Sequence, residues 1–162
     1  MENLNFVKDK IFTWDRLQKR IALWRFKGKK IVFTNGCFDI LHLGHIEYLS
    51  KSRDLGDVLV VGLNSDESVR RIKGTHRPVN NQDARSITLA ALSFVDAVIL
   101  FGEDTPLNLI RQIQPDILVK GKDYEGKEIV GTEVVKARGG IVATIELTKG
   151  FSTTGIIDKS NL

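Results

Sequence analysis

The amino-acid sequence predicts an α/β fold built on an open, doubly wound parallel sheet of five strands with helices on both faces. Three observations carry this. Short apolar runs alternate with helical patterns along the 162 residues, the order that strand–helix–strand crossovers require. The runs are continuous rather than alternating, most plainly Val58-Leu59-Val60-Val61-Gly62-Leu63, as in strands covered on both faces. Side chains with chemistry to offer follow the strands: His42 and His45 the first, Lys73 and Arg77 the second, Lys120 and Lys122 the fourth, Ser152 to Thr154 the fifth. Open parallel sheets bind ligands beyond the carboxyl ends of their strands, where strand order reverses.

The elements follow in order. Trp14, Leu17, Ile21 and Trp24 recur at helical spacing, with Thr13 as N-cap and Gly28 as stop, which predicts an amphipathic helix whose tryptophans serve the core or a subunit contact. Residues 1–28 read as a helical extension and 29–162 as the main domain. Polar Lys29-Lys30 precede β-forming Ile31 to Phe33, giving a strand over 31–35. Gly36 supplies the φ > 0 conformation that turns the chain over the strand end. A helix over 43–55 and a strand over 58–64 come next. Ser65 and Ser68 form a capping pattern for a short helix. Gly74, His76 and Pro78 make 73–80 a loop before a helix over 82–94. Ala97 to Phe101 is the third strand, and Thr105-Pro106 opens a helix that stops at Gln114-Pro115. Strands over 117–119 and 141–146 flank a helix over 131–137 ended by Gly139-Gly140, and a helix over 152–160 closes the chain.

Composition narrows the class. With 42% hydrophobic and 27% charged residues the chain reads as one ordinary globular domain with a proper core. A net charge of +4 suits anionic small molecules. A nucleic-acid binder shows a clustered basic stripe, whereas here only short groups such as Arg70-Arg71 and Lys27 to Lys30 stand out, and these read as solvated faces. A single cysteine, Cys37, makes no internal disulfide and fits a cytoplasmic location. No apolar run is long enough to span a bilayer, and polar Met1 to Lys10 does not resemble a secretory signal.

The richest stretch is Asn35-Gly36-Cys37-Phe38-Asp39, followed by His42-Leu43-Gly44-His45. Two imidazoles three residues apart at a helix start share one face. Gly44 leaves the backbone between them open, and the helix N-terminus adds unpaired N–H groups and a positive dipole end. The combination is a polyphosphate cradle. Zinc would need further ligands, and the only other histidine and the only cysteine are His76 and Cys37, so no metal site is expected. Cys37 reads as a small residue where the backbone approaches a ligand, and Asp39 as the residue that fixes the turn through backbone N–H groups.

His42-Leu43-Gly44-His45 behind Gly36-Cys37-Phe38-Asp39 resembles the HxGH signature of the nucleotidyltransferase superfamily. Lys149-Gly150-Phe151-Ser152-Thr153-Thr154 resembles its C-terminal serine/threonine motif. The resemblance runs from about Lys29 to the end and is strongest to the heptose 1-phosphate adenylyltransferases, through Ile31 to His45, Val119-Lys120-Gly121-Lys122-Asp123-Tyr124 and Gly150 to Ile157. It implies a Rossmann-like fold and AMP transfer from ATP to a heptose 1-phosphate for lipopolysaccharide core. A separate sugar kinase would then supply the substrate. His42, His45 and Lys73 would be catalytic. Asn35, Gly36, Cys37, Phe38, Asp39, Gly44, Lys120, Gly121, Asp123, Ser152, Thr153 and Thr154 would bind the nucleotide. Arg77, Arg85 and Lys122 would bind substrate phosphate. Mg²⁺ would sit mainly on triphosphate oxygens, and the protein would be a homodimer without nucleic-acid or membrane partners. Glycerol-phosphate cytidylyltransferases carry arginine and glutamate where this chain has Leu147 and Lys149, which speaks against the cytidylyl branch or for a different set of phosphate contacts. Transfer to another phosphate acceptor, such as glycerol 3-phosphate or FMN, is the alternative. A non-catalytic nucleotide-binding module is disfavoured by the intact histidines and Ser-Thr-Thr run.

Overall fold

The computed structural model describes residues 2–124, 126–148 and 150–160. Chain order runs α1 (Asn3–Lys8), β1 (Ile11–Phe12), α2 (Trp14–Phe26), β2 (Ile31–Gly36), α3 (Leu43–Arg53), β3 (Val58–Asn64), α4 (Asp66–Lys73) and α5 (Gln82–Ala90). It continues through β4 (Ala97–Phe101), α6 (Leu107–Ile113), β5 (Ile117–Gly121), a 3₁₀ turn (Lys122–Tyr124), α7 (Thr132–Lys136), β6 (Ile141–Ile145) and α8 (Thr153–Ser160).

The strands form one sheet in the order β1-β4-β3-β2-β5-β6, and every neighbouring pair is parallel. Where five strands are expected, the sheet has six. Ile11 and Phe12 pair with Val98 and Ile99 at the β4 edge, a contact too short to leave a periodic signal. The same N-terminal stretch sends Leu17 and Ile21 of α2 into the core, with Trp14 and Trp24 packed beside them.

Alternate residues of each strand feed opposite faces, as the two-residue period requires. Val58 and Val60 join Ile31, Phe33 and Leu118 in one apolar cluster. Leu59, Val61 and Leu63 join Val32, Val119 and Leu89 in the other. Burial on both faces explains the continuous apolar runs. Gly62 is required by space: a Cβ there would stand 2.9 Å from the Phe33 ring and 3.2 Å from Asn35 Cβ.

Several boundaries shift for local reasons. The helix expected over 82–94 stops at Ala90, because the chain must turn toward Asp96, whose carboxylate accepts from the Leu59 amide and Arg53. The strand expected over 117–119 extends to Gly121, carried by pairing of Lys120 and Gly121 with Thr144 and Ile145 of β6. Ser65 caps α4 by accepting from the Ser68 amide, as its sequence pattern predicts. No described helix is long and apolar enough to cross a membrane.

From β2 the chain builds outward to β3 and β4, then crosses back to β5 and β6. Strand order therefore reverses between β2 and β5, and their carboxyl ends diverge into a crevice. Gly36 and Gly121 end those two strands.

Candidate functional site

A cleft of about 590 Å³ opens at that reversal point. From β2 and its turn it takes Asn35, Gly36, Cys37, Phe38 and Asp39; from the start of α3, His42, Gly44 and His45. Lys73 and Arg77 border it beyond β3. Lys120, Gly121 and Asp123 enter from β5, and Ser152, Thr153 and Thr154 from the start of α8. Arg85 and Lys122, expected here as phosphate ligands, do not line it. Lys149 lies outside the described residues.

The turn after β2 departs from expectation. The left-handed residue is Phe38, at φ 43°; Gly36 ends the strand instead. Glycine is needed there because a Cβ would stand 2.9 Å from the Phe38 ring, which folds back over it. That ring meets His45 edge-on, with centroids 5.2 Å apart. His42 and His45 stack at 3.8 Å, 20° from parallel. At Gly44 a Cβ would stand 3.1 Å from the His42 ring.

Neither imidazole has a partner for its buried Nδ1 within the described chain. Burial lowers the His42 pKa. Burial first, then repulsion by His42, bring His45 down to about 4, against an opposing hydrogen bond to the Ile40 backbone. Both rings are thus neutral near pH 7 and free to donate without carrying a buried charge. An unfolded histidine titrates near 6.5, so the folded state takes up its proton later than the unfolded state does. The resulting stability is present above about pH 6.5 and is lost as pH falls through about 4. Urea midpoints are expected to drop between about pH 7 and about pH 5. His45→Gln should flatten that drop; an unchanged slope in the variant would assign it to other groups.

Asp39 does not cap its own turn. Its carboxylate accepts from the amides of Val79 and Asn80 and pairs with Arg77 Nε at 2.6 Å. Burial alone would raise its pKa, but the two amides and the guanidinium outweigh that and hold it below the ordinary carboxylate value. Arg77 thus borders the cleft as part of a clamp between the turn and the loop that follows α4.

Arg85 is the largest correction. Its side chain is fully buried. Nε donates to the Asn80 carbonyl, Nη1 to the carbonyls of Cys37 and Asn64, and Nη2 to Asp66. With four of its five N–H groups bonded inside the fold, the guanidinium has no two-donor fork left for phosphate.

Lys120 is almost entirely buried. Its amine donates to Asn35 Oδ1 and sits 5.5 Å from the Tyr124 ring centroid. Burial brings its pKa down to about 8, with Asp123 working against the shift. Burial raises the Cys37 pKa, which suits a spacer rather than a nucleophile. Ser152 caps α8, its Oγ accepting from the Gly155 amide. Among the described residues, no group of three His, Cys, Asp or Glu stands close enough to hold a metal ion.

The cleft also takes in Asp104 and Thr105 after β4, Glu128, Thr148 and Phe151. Sequence reasoning did not single these out for a role. Asp104 and Thr105 obey the same strand-end rule as the others. Phe151 stacks on His42, with centroids 6.4 Å apart, and the Thr148 hydroxyl bonds Glu47; flanking the Ser-Thr-Thr run was the available signal.

Known proteins are similar to this chain in sequence and in fold. The Bifunctional protein HldE of Wolinella succinogenes is 53% identical over 152 residues, covering 94% of this chain and 31% of that one. Its counterpart in Campylobacter concisus is 61% identical over 134 residues, covering 82% of this chain and 28% of that one. The chain spans less than a third of the length of these curated relatives. The crystal structure of a lipopolysaccharide core biosynthesis protein from Thermoplasma volcanium superposes with a TM-score of 0.62 at 34% identity, covering 76% of this chain and all of the other. The cytidylyltransferase-like family model matches residues 33–159, from within β2 into α8. The chain belongs to the cytidylyltransferase-like family.

Proposed function

We propose that this chain is a nucleotidyltransferase that moves AMP from ATP to D-glycero-β-D-manno-heptose 1-phosphate, giving ADP-heptose and pyrophosphate. The observation that carries the reading is the stacked pair His42 and His45, which shares one cleft with the hydroxyls opening α8. Nucleotidyl transfer needs that kind of site. An oxygen of the acceptor phosphate attacks the α-phosphorus, its new P–O bond forming as the bond to pyrophosphate breaks. The acceptor is already ionised, so no strong general base is needed. The protein supplies alignment and donors aimed at the oxygens where charge builds up.

His42 and His45 donate to the triphosphate, with backbone N–H groups around Cys37 and Phe38 close to the α-phosphate. Ser152, Thr153 and Thr154 hold the β- and γ-phosphates at the start of α8. Lys73 and Arg77, beyond β3, meet the acceptor phosphate or the triphosphate. Lys120, Gly121 and Asp123 contact the nucleotide from β5. Mg²⁺ would be held mainly by triphosphate oxygens and its own water and would supply charge neutralisation there; among the described residues no group of three His, Cys, Asp or Glu stands close enough to hold it. The choice of heptose phosphate is supported by identity to the HldE proteins above 50% and by Leu147 in place of the cytidylyl-branch arginine. A cytoplasmic homodimer without nucleic-acid or membrane partners completes the reading, supported by the family resemblance, the lone cysteine and the scattered basic residues.

Pyrophosphate release with Mg²⁺, crossing ATP and CTP with heptose 1-phosphate, glycerol 3-phosphate and FMN, tests it. Release with ATP and the heptose phosphate alone is expected. Release with another pair would keep the residue roles and replace the substrate. Silence in every combination, with nucleotide still bound, would favour a binding module.

A further inference from the structure

The geometry points to Arg85 as a positioning residue that aims the Phe38 backbone N–H into the cleft, at the phosphoryl group under attack. This rests on the cleft being a nucleotidyl-transfer site. In a planar trans peptide the C=O and the following N–H point in opposite directions. Arg85 Nη1 holds the Cys37 carbonyl at 2.7 Å from the buried side. The N–H of the same peptide, on Phe38, therefore faces away from Arg85, toward the cleft that Cys37 and Phe38 line. No acceptor among the described residues takes that N–H, although Phe38 is only 7% exposed. A backbone donor that faces the cleft without a protein acceptor can take a phosphate oxygen as its partner there.

The rest of the arrangement makes the orientation rigid. The same Nη1 bonds the Asn64 carbonyl at 2.9 Å, so the turn after β2 is referenced to the end of β3. Nε bonds the Asn80 carbonyl at 3.0 Å, next to the amides that hold Asp39. Phe38 stands at φ 43°, a conformation unfavourable for a bulky residue and held only by its surroundings. Its ring packs edge-on against His45. Arg85 thus sets a backbone donor directly and one imidazole through the Phe38 ring, without touching substrate.

The test uses the full chain labelled with ¹⁵N, Mg²⁺ and an ATP analogue whose α,β-bridge cannot be cleaved. In the parent protein the Phe38 amide should move downfield on binding, a readout that needs no variant. Arg85→Lys, which cannot span the same carbonyls, should lose that shift and lower kcat about 100-fold, as when an oxyanion donor is removed, while the analogue's dissociation constant changes little. Asp66→Asn cuts the far ion pair but leaves the Cys37 bond, so it should lower the melting temperature and keep both kcat and the Phe38 shift. Equal kcat losses in the two variants would reduce Arg85 to a stability role and overturn the inference. So would a parent Phe38 amide that does not move on nucleotide binding, or Arg85→Lys with parental kcat. A parent chain that binds no nucleotide would overturn the functional reading, and this inference with it.

Discussion

Alanine at both His42 and His45 is expected to cut pyrophosphate release by at least about 1,000-fold while leaving the chain folded. Each lost donor costs on the order of 3 kcal/mol in a transition state that gathers charge on phosphoryl oxygens. Stacked 3.8 Å apart, the two rings act as a unit, so the double variant should fall short of the product of the single losses. The stability side differs. Among the described residues neither buried Nδ1 has a partner, and an unsatisfied buried polar atom costs stability rather than adding to it. The melting temperature should therefore hold or rise when the pair is removed, the usual cost of function reversed. Calorimetry and turnover on one preparation check both halves. Parental turnover would take the histidines out of the chemistry, and unfolding would make them part of the scaffold.

Much of this was legible because the fold places its chemistry by rule. The run over Val58–Asn64 is continuous and apolar because helices cover both its faces, and its boundaries match the structure. The family motifs fall at the carboxyl ends of β2, β5 and β6 because crevices form where strand order reverses. What stayed hidden depends on distance in sequence. β1 is two residues long and exists only because β4 offers an edge. Arg85 and Arg77 look alike as exposed-loop or helix-start arginines. One is swallowed by carbonyls from Cys37, Asn64 and Asn80, and the other is held at the rim by Asp39. Gly36 satisfied the local rule for a left-handed turn residue, but the conformation went to Phe38 because its ring needs the space above a missing Cβ. Local pattern locates the cleft, and only tertiary packing tells which side chains reach into it.

Asp39→Ala should be the most destabilising single change in the cleft, by about 3 kcal/mol, because it removes one partner of a buried charge pair. The side chain is 1% exposed, and that of Arg77 17%. Deleting the carboxylate strands the guanidinium and the amides of Val79 and Asn80 together. The remaining exposure of Arg77 lets water reach it, which keeps the loss at the lower end of the range for buried pairs. The expected result is a lower urea midpoint with an unchanged m value. Activity should fall too, since the clamp fixes the loop bearing Arg77 against the turn bearing Phe38, and the acceptor KM should rise more than the ATP KM. Acid distinguishes this clamp from ordinary packing. The Asp39 carboxyl titrates below its unfolded value. Its contribution is therefore complete above about pH 3.9 and disappears as pH falls through the lower folded-state pKa. The alanine variant should lack that acid limb, and Asp39→Asn should lack it as well, because an amide cannot titrate. If the limb survives in both variants, the clamp is not what acid breaks, and the loop is held to the turn by something other than Asp39.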